Sequence, residues 1–394
     1  MKHLRVFTNR LVLRSVGWRL EALLLVGVML LALLPVGTAL GSAPKPPLAY
    51  VTQRDAHPDG IGSVSAIDTT TTEVVATVDV GPGPHGMAIS ANGRHGYVAN
   101  YGTFVPCPPL PSCKFATATS LSDTVSVLKL PSHTSNDDGV DRLPEVVATV
   151  KVGFGPLGVA ITPNNQEVYV TNFGSDPSLV PGGVAGNTVS VIKTGSNEVV
   201  ATITVGHLPA GVAITPDGRH AYVTNRGDDM VSVINTRSHR VVATVAVQDE
   251  PANVVFTPDG SRAYVANFGS NSVSVIDTAT NTVVATVGVG FVPIGLTVTP
   301  DGARVYVVNV FSNNVSVIET ATNTVVATVP VGHGPRAVAI TPDGAHAYVT
   351  NFLDDTLSVI ETATNTVVDT VPVAGGPNWV TITGSHRKAL EDDD

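Results

Sequence analysis

The chain has 394 residues, 43% hydrophobic but only 5% aromatic and 14% charged, with a formal net charge of −10. Its abundance of Val and Thr suits pleated, half-buried strands and argues against amphipathic helices. The length would ordinarily suggest two or three domains, and the acidic balance lacks the basic footprint of a nucleic-acid binder.

The first predicted element is a leader. Lys2, Arg5, Arg10, Arg14 and Arg19 precede an apolar run from Leu23 to Leu34, followed by Pro35 and small residues. Residues 1–43 are therefore expected to be a signal peptide, cut near Gly41 or Ala43, or else an N-terminal membrane anchor. The second option stays open because Ala22 to Leu40 carries no charge over 19 residues, close to a bilayer span. Either way the positive flank stays inside and the remainder is exported. Without residues 1–43 the balance is 17 basic against 31 acidic residues.

From Tyr50 onward one phrase recurs seven times, beginning at Tyr50, Tyr97, Tyr169, Tyr222, Tyr264, Tyr306 and Tyr348 and reading YVTQ, YVAN, YVTN, YVTN, YVAN, YVVN and YVTN. The last four copies are spaced by 42 residues, and each sits among four short apolar segments such as GLTVTP, RVYVVN, NVSVIE and VVATVPV. A period of about 40–45 residues with four strands marks a propeller blade. One blade cannot bury both its faces alone, so residues 44–384 are predicted to form one all-β domain, a seven-bladed β-propeller of four-stranded antiparallel blades.

Within each blade the strands are lettered A to D from the central channel outward. The first strand met, Ala49–Thr52, is a B strand and the last, Asn378–Thr383, is an A strand. The ring is thus expected to close by a 3+1 clasp between the chain ends. TPDG turns (215–218, 257–260, 299–302, 341–344) join A to B, and DTATNT-type turns join C to D. Residues 385–394 are expected to be an acidic, disordered tail.

Cys107 and Cys113 lie in a Pro-rich insertion in blade 2. A disulfide is expected there in an exported protein. No nearby Cys or His completes a four-ligand metal set.

Taken with G-P-x-x-V-A-I-T-P-D-G before the repeated Tyr-Val-Thr-Asn and S-V-I-D-T-x-T-N-x-V-V-A-T-V after it, the pattern resembles the YVTN family of β-propeller repeats over roughly residues 49–384. It resembles lactonase-type seven-bladed propellers more distantly. The resemblance implies a propeller outside the cytoplasm, in the periplasm, at the cell surface or secreted, with binding or recognition roles.

A binding site on a pseudo-symmetric ring must break the symmetry. In a propeller the D-to-A and B-to-C connections share one face, at the channel mouth. Aligned there are Pro82, Phe154, His207, Asp249, Phe291, His333 and Gly375, and three places later His85, Leu157, Ala210, Ala252, Ile294, Arg336 and Asn378. His207, Asp249, Glu250, His333 and Arg336 are the candidates for acid/base chemistry, the first three also as a divalent-metal group. After the motif's fourth residue come Arg54, Tyr101, Phe173, Arg226, Phe268, Val310 and Phe352, a rim of aromatics and arginines suited to sugars, peptides or aromatic ligands. The ligand-binding candidates are His85, Tyr101, Phe173, Arg226, Phe268, Phe352 and Asn378. Blades 2 and 3 add long insertions, 101–123 and 173–187.

The main expectation is a monomeric, non-enzymatic exported scaffold that binds a cell-surface protein, a polysaccharide or a small ligand at the mouth, with no cofactor. Membrane contact would come only through an uncut leader. The alternative is a lactonase-like or metal-assisted hydrolase at the same place. A further alternative, binding of single-stranded nucleic acid, has the acidic balance against it.

Overall fold

The computed structural model describes residues 46–54, 60–105, 117–131, 143–177 and 183–384. The leader, the Cys107–Cys113 pair and the acidic tail lie outside these residues. The described chain forms seven four-stranded antiparallel sheets, six of them built from consecutive strands.

The seventh sheet is the clasp. The A strand Pro377–Ile382 pairs with the B strand Leu48–Gln53, which continues into Ile61–Asp68 and Val74–Pro82. Register runs from Ala49 opposite Ile382 to Thr52 opposite Trp379. Leu48 and Thr383 seal the edge, each donating its backbone N–H to an oxygen of the other at 2.9 Å.

The A strands touch one another in a closed ring. The D strands lie outermost, and valine pairs such as Val325 and Val326 are exposed on them. Between the two layers each seam between blades holds an apolar core. One example joins Tyr306, Val315 and Val317 of blade 6 to Val338, Val349 and Ile360 of blade 7.

The repeated motif is the stitching of these seams. All seven tyrosines are buried, at most 2% exposed. Five of their hydroxyls donate to the next blade's C-to-D turn, Tyr169 reaching the Thr236 carbonyl at 3.3 Å. Tyr264 reaches Asn323 Oδ1 at 3.0 Å, Tyr306 reaches Asn365 Oδ1 at 2.7 Å, Tyr222 reaches Asn281 Oδ1 at 2.5 Å and Tyr348 reaches the Thr69 carbonyl at 3.0 Å. The threonines bind the next blade's A strand: Thr171 Oγ1 donates to Ala210 O at 2.7 Å and Thr224 Oγ1 to Ala252 O at 3.1 Å. The asparagines close up their own blade, as Asn172 does by donating to Thr188 and Ser190 and accepting from Gly153 N–H. A methyl on Gly153 would stand 2.5 Å from Asn172 Cγ, so a side chain here would have to displace the asparagine.

The blade 2 insertion extends the sheet. Strands His95–Val105 and Thr117–Lys129 continue their pairing out to Val105 opposite Thr117.

Candidate active site at the channel mouth

Each A strand opens with proline, and the residue after it stands at the mouth. Four of the seven positions carry Leu157, Ala210, Ala252 and Ile294; the other three, Arg336, Asn378 and His85, belong to blades 7, 1 and 2 and are neighbours around the ring. Arg336 Nη1 donates to Asn378 Oδ1 at 3.1 Å, and the guanidinium lies 3.9 Å from the Phe352 ring centroid. Asn378 Nδ2 in turn donates to the Pro84 carbonyl at 3.3 Å. Arg54, only 6% exposed, approaches the same Phe352 ring at 5.3 Å.

His85 completes the group. Burial, followed by the positive charges of Arg336 and Arg54, pushes its imidazole down to about 3. The ring is therefore neutral throughout the physiological range. Its carbonyl accepts from Thr52 Oγ1 at 2.9 Å, and its ring centroid lies 6.5 Å from that of Trp379. The clasp blade thus gathers a neutral imidazole, two guanidinium groups and an amide across its two seams.

The other expected acid/base group does not assemble. His207 Nδ1 lies 2.9 Å from Asp228 Oδ1, and its backbone N–H donates to the same carboxylate at 2.7 Å. His333 repeats the arrangement with Asp354. Glu250 accepts from Arg226 Nη2 at 2.7 Å and Nε at 3.1 Å. The physical reason is local. The turns into the A strands of blades 4 to 7 and 1 leave backbone N–H groups pointing at the B-to-C loops, and a carboxylate, amide or hydroxyl there caps them. Among the described residues no three His, Cys, Asp or Glu side chains converge as a metal-holding group, so the grouping of His207, Asp249 and Glu250 is corrected.

The aromatic rim is largely packed against itself. Tyr101 and Phe173 stack at 6.2 Å and are buried with Leu208 and Ala210, and burial pushes the Tyr101 hydroxyl up to about 12. Arg226 covers Phe268 at 4.2 Å. These rings form the floor and walls of the mouth. A cleft of 430 Å³ lies elsewhere, lined by Gln53, Ser63, Ser65, Thr77 and Val373. Its hydroxyls and the Gln53 amide bond one another and it holds no titratable group, whereas a second cleft, between the A-to-B turns of blades 4 and 5, is lined by Asp217, His220 and Asp259.

Arg54 belongs to the expected site only as part of the rim, and Trp379 is absent from it. The signal for Trp379 is a column in the aligned A strands, Gly86, Gly158, Gly211, Asn253, Gly295 and Ala337, in which it alone is large.

A family model described as "Lactonase, 7-bladed beta-propeller" matches residues 108–286, just under half of the chain. No curated protein sequence matches. Among solved structures the chain is similar to the Pseudomonas aeruginosa periplasmic gluconolactonase, with 18% identity over 86% of this chain and 99% of that one and a TM-score of 0.66. It is equally similar to a Bacteroides fragilis protein provisionally described as a 6-phosphogluconolactonase, with 18% identity, coverage of 87% and 99% and a TM-score of 0.66. Kuenenia stuttgartiensis hydrazine synthase is another match, with 22% identity, coverage of 78% and 91% and a TM-score of 0.61. Likeness at this level carries the fold. The YVTN resemblance rests on the repeated motif and its flanking patterns in the sequence alone. The expectation of a non-enzymatic scaffold is corrected by the family match, which is to an enzyme family and favours the lactonase-like alternative.

Proposed function

We propose that the protein is a hydrolase of lactonase type with its site at the channel mouth, where the clasp blade meets its two neighbours. The observation that carries this reading is the grouping of His85, Arg54, Arg336 and Asn378 around the clasp blade, in a chain whose family match is a lactonase propeller. Water attacks the lactone carbonyl carbon while the neutral His85 ring takes its proton. The guanidinium groups stabilise the negative charge developing on the carbonyl oxygen. That charge also raises the proton affinity of His85 as the transfer proceeds. The ring C–O bond then breaks, the leaving oxygen takes the proton back from His85, and the carboxylic acid so formed releases its proton to solvent, leaving a carboxylate that faces two cations. Asn378 holds Arg336 and the Pro84 carbonyl, and Phe352 backs the guanidinium, so the charged groups are oriented before substrate arrives.

The leader sequence and the periplasmic neighbour support an extracytoplasmic location for this activity. The test is ring opening of a panel of five- and six-membered lactones followed by proton release. His85→Ala and Arg336→Ala should each lower kcat/KM at least about 100-fold with unchanged circular dichroism. Full activity in both variants would overturn the assignment of the site, and no turnover of any lactone by the parent protein would overturn the reaction.

A further inference from the structure

At the third position of most A strands the ring is closed by backbone against backbone. A methyl added to Gly86 would stand 2.4 Å from the Leu157 carbonyl oxygen, one on Gly158 2.5 Å from that of Ala210, and one on Gly295 2.4 Å from that of Arg336. Blade 1 places the indole of Trp379 at this position, facing the A strand of blade 2, Pro84–Ile89. Its Nε1 donates to the Met87 carbonyl at 3.1 Å, and its own backbone N–H donates to Thr52 Oγ1 at 3.1 Å. Three side chains of blade 1 thereby hold three carbonyls of one short segment: Asn378 on Pro84, Thr52 on His85 and Trp379 on Met87. The threonine bond recurs at other seams. The indole and amide bonds belong, among the described residues, to this one. The segment so held carries His85, whose ring lies with its centroid 6.5 Å from that of the indole.

We infer that Trp379 is a positioning residue, whose indole fixes the Pro84–Met87 segment so that the His85 imidazole is presented between Arg54 and Arg336 and shielded from water on one side. For its effect on turnover this inference rests on the hydrolase reading; for its effect on His85 it stands alone.

The experiment uses the full propeller with Trp379→Gly, the residue most other blades carry, and Trp379→Phe, which keeps a ring but lacks the donor. Imidazole NMR, assigned with a His85→Gln variant, follows the His85 titration, and thermal melting checks the fold. The charged groups facing His85 are Arg336 and Arg54, and both are unchanged in these variants. Trp379→Gly should move the His85 midpoint up from about 3 toward 6.5 and lower kcat about 100-fold with KM changed less than about threefold. Trp379→Phe should lower kcat about tenfold and melt close to the parent. A lower melting temperature with the His85 titration unmoved in both variants would overturn the inference and leave Trp379 as packing alone. If the parent protein opens no lactone, the hydrolase reading fails and the NMR titration alone decides the role of Trp379.

Discussion

His85 carries a free-energy cost that the rest of the ring sustains. The unfolded imidazole takes up its proton near 6.5, whereas the folded one does so only near 3. Between those values the unfolded chain binds more protons, so stability is full above about pH 6.5 and is lost as pH falls toward 3, by about 1.4 kcal/mol per unit from this residue alone. Urea midpoints measured between pH 7 and pH 4.5, a range above most carboxylate titrations, should show this slope, and His85→Gln should flatten it. A second cost sits in the turns before the A strands of blades 4 to 6, where Leu208, Glu250 and Val292 adopt positive φ of 53°, 51° and 61°. The equivalent residue is glycine elsewhere in the ring, as at Gly334 and Gly376. Val292 is β-branched, for which this conformation is strained. Val292→Gly is expected to stabilise the protein by about 1 kcal/mol, read as a higher midpoint in thermal melting. Tyr306→Phe should act in the other direction. It removes the bond to Asn365 and leaves that amide oxygen without its phenol, at a cost of about 1 kcal/mol.

The A-to-B turns show why much of the fold is legible in the chain. In TPDG the residues hold the turn by local contacts. Thr299 Oγ1 donates to Asp301 Oδ1 at 2.5 Å, Ala303 N–H donates to the same oxygen at 2.9 Å, and Gly302 takes φ of 73°. These contacts hold the Asp301 carboxyl below its ordinary range, the Thr299 hydroxyl first among them. The turn's contribution is therefore present above the usual carboxylate range and lost as pH falls through the lowered value. Asp301→Ala should cost about 1 kcal/mol at pH 7 and much less at pH 3, measured by urea unfolding. Such patterns are short and repeat, so strand order and the 3+1 closure follow from counting. The mouth is different. His207 meets Asp228 and Glu250 meets Arg226 across separate connections, and no single loop's sequence states which partner it takes. Arg336, Asn378 and His85 could be picked out as unlike their equivalents. That they join Arg54 around the clasp blade depends on the closing strand lying beside blade 2.

At the scale of the molecule, seven similar blades share their seams, but only one blade joins strands from opposite ends of the ring's sequence. Thr383 and Leu48 bond across 335 positions, and Tyr348 reaches Thr69 across 279. Deleting residues 376–394 leaves the B strand of blade 1 unpaired along its inner edge and exposes the cores that Val380 and Ile382 fill. The shortened protein should melt at a much lower temperature and aggregate on heating, and a melt like that of the parent would show that the clasp contributes little. The same closure sets a timetable. The strand that finishes the first blade is the last of the ring to leave the ribosome, so blades 2 to 7 can stack while blade 1 waits with an open edge, and the longest-range contacts form last. Asn378 and Trp379 ride on that final strand. A chain that ends before Pro377 is therefore not a slower version of the protein but one without Asn378 and Trp379, and the arrival of Pro377–Ile382 becomes the event that separates an open row of blades from a closed ring.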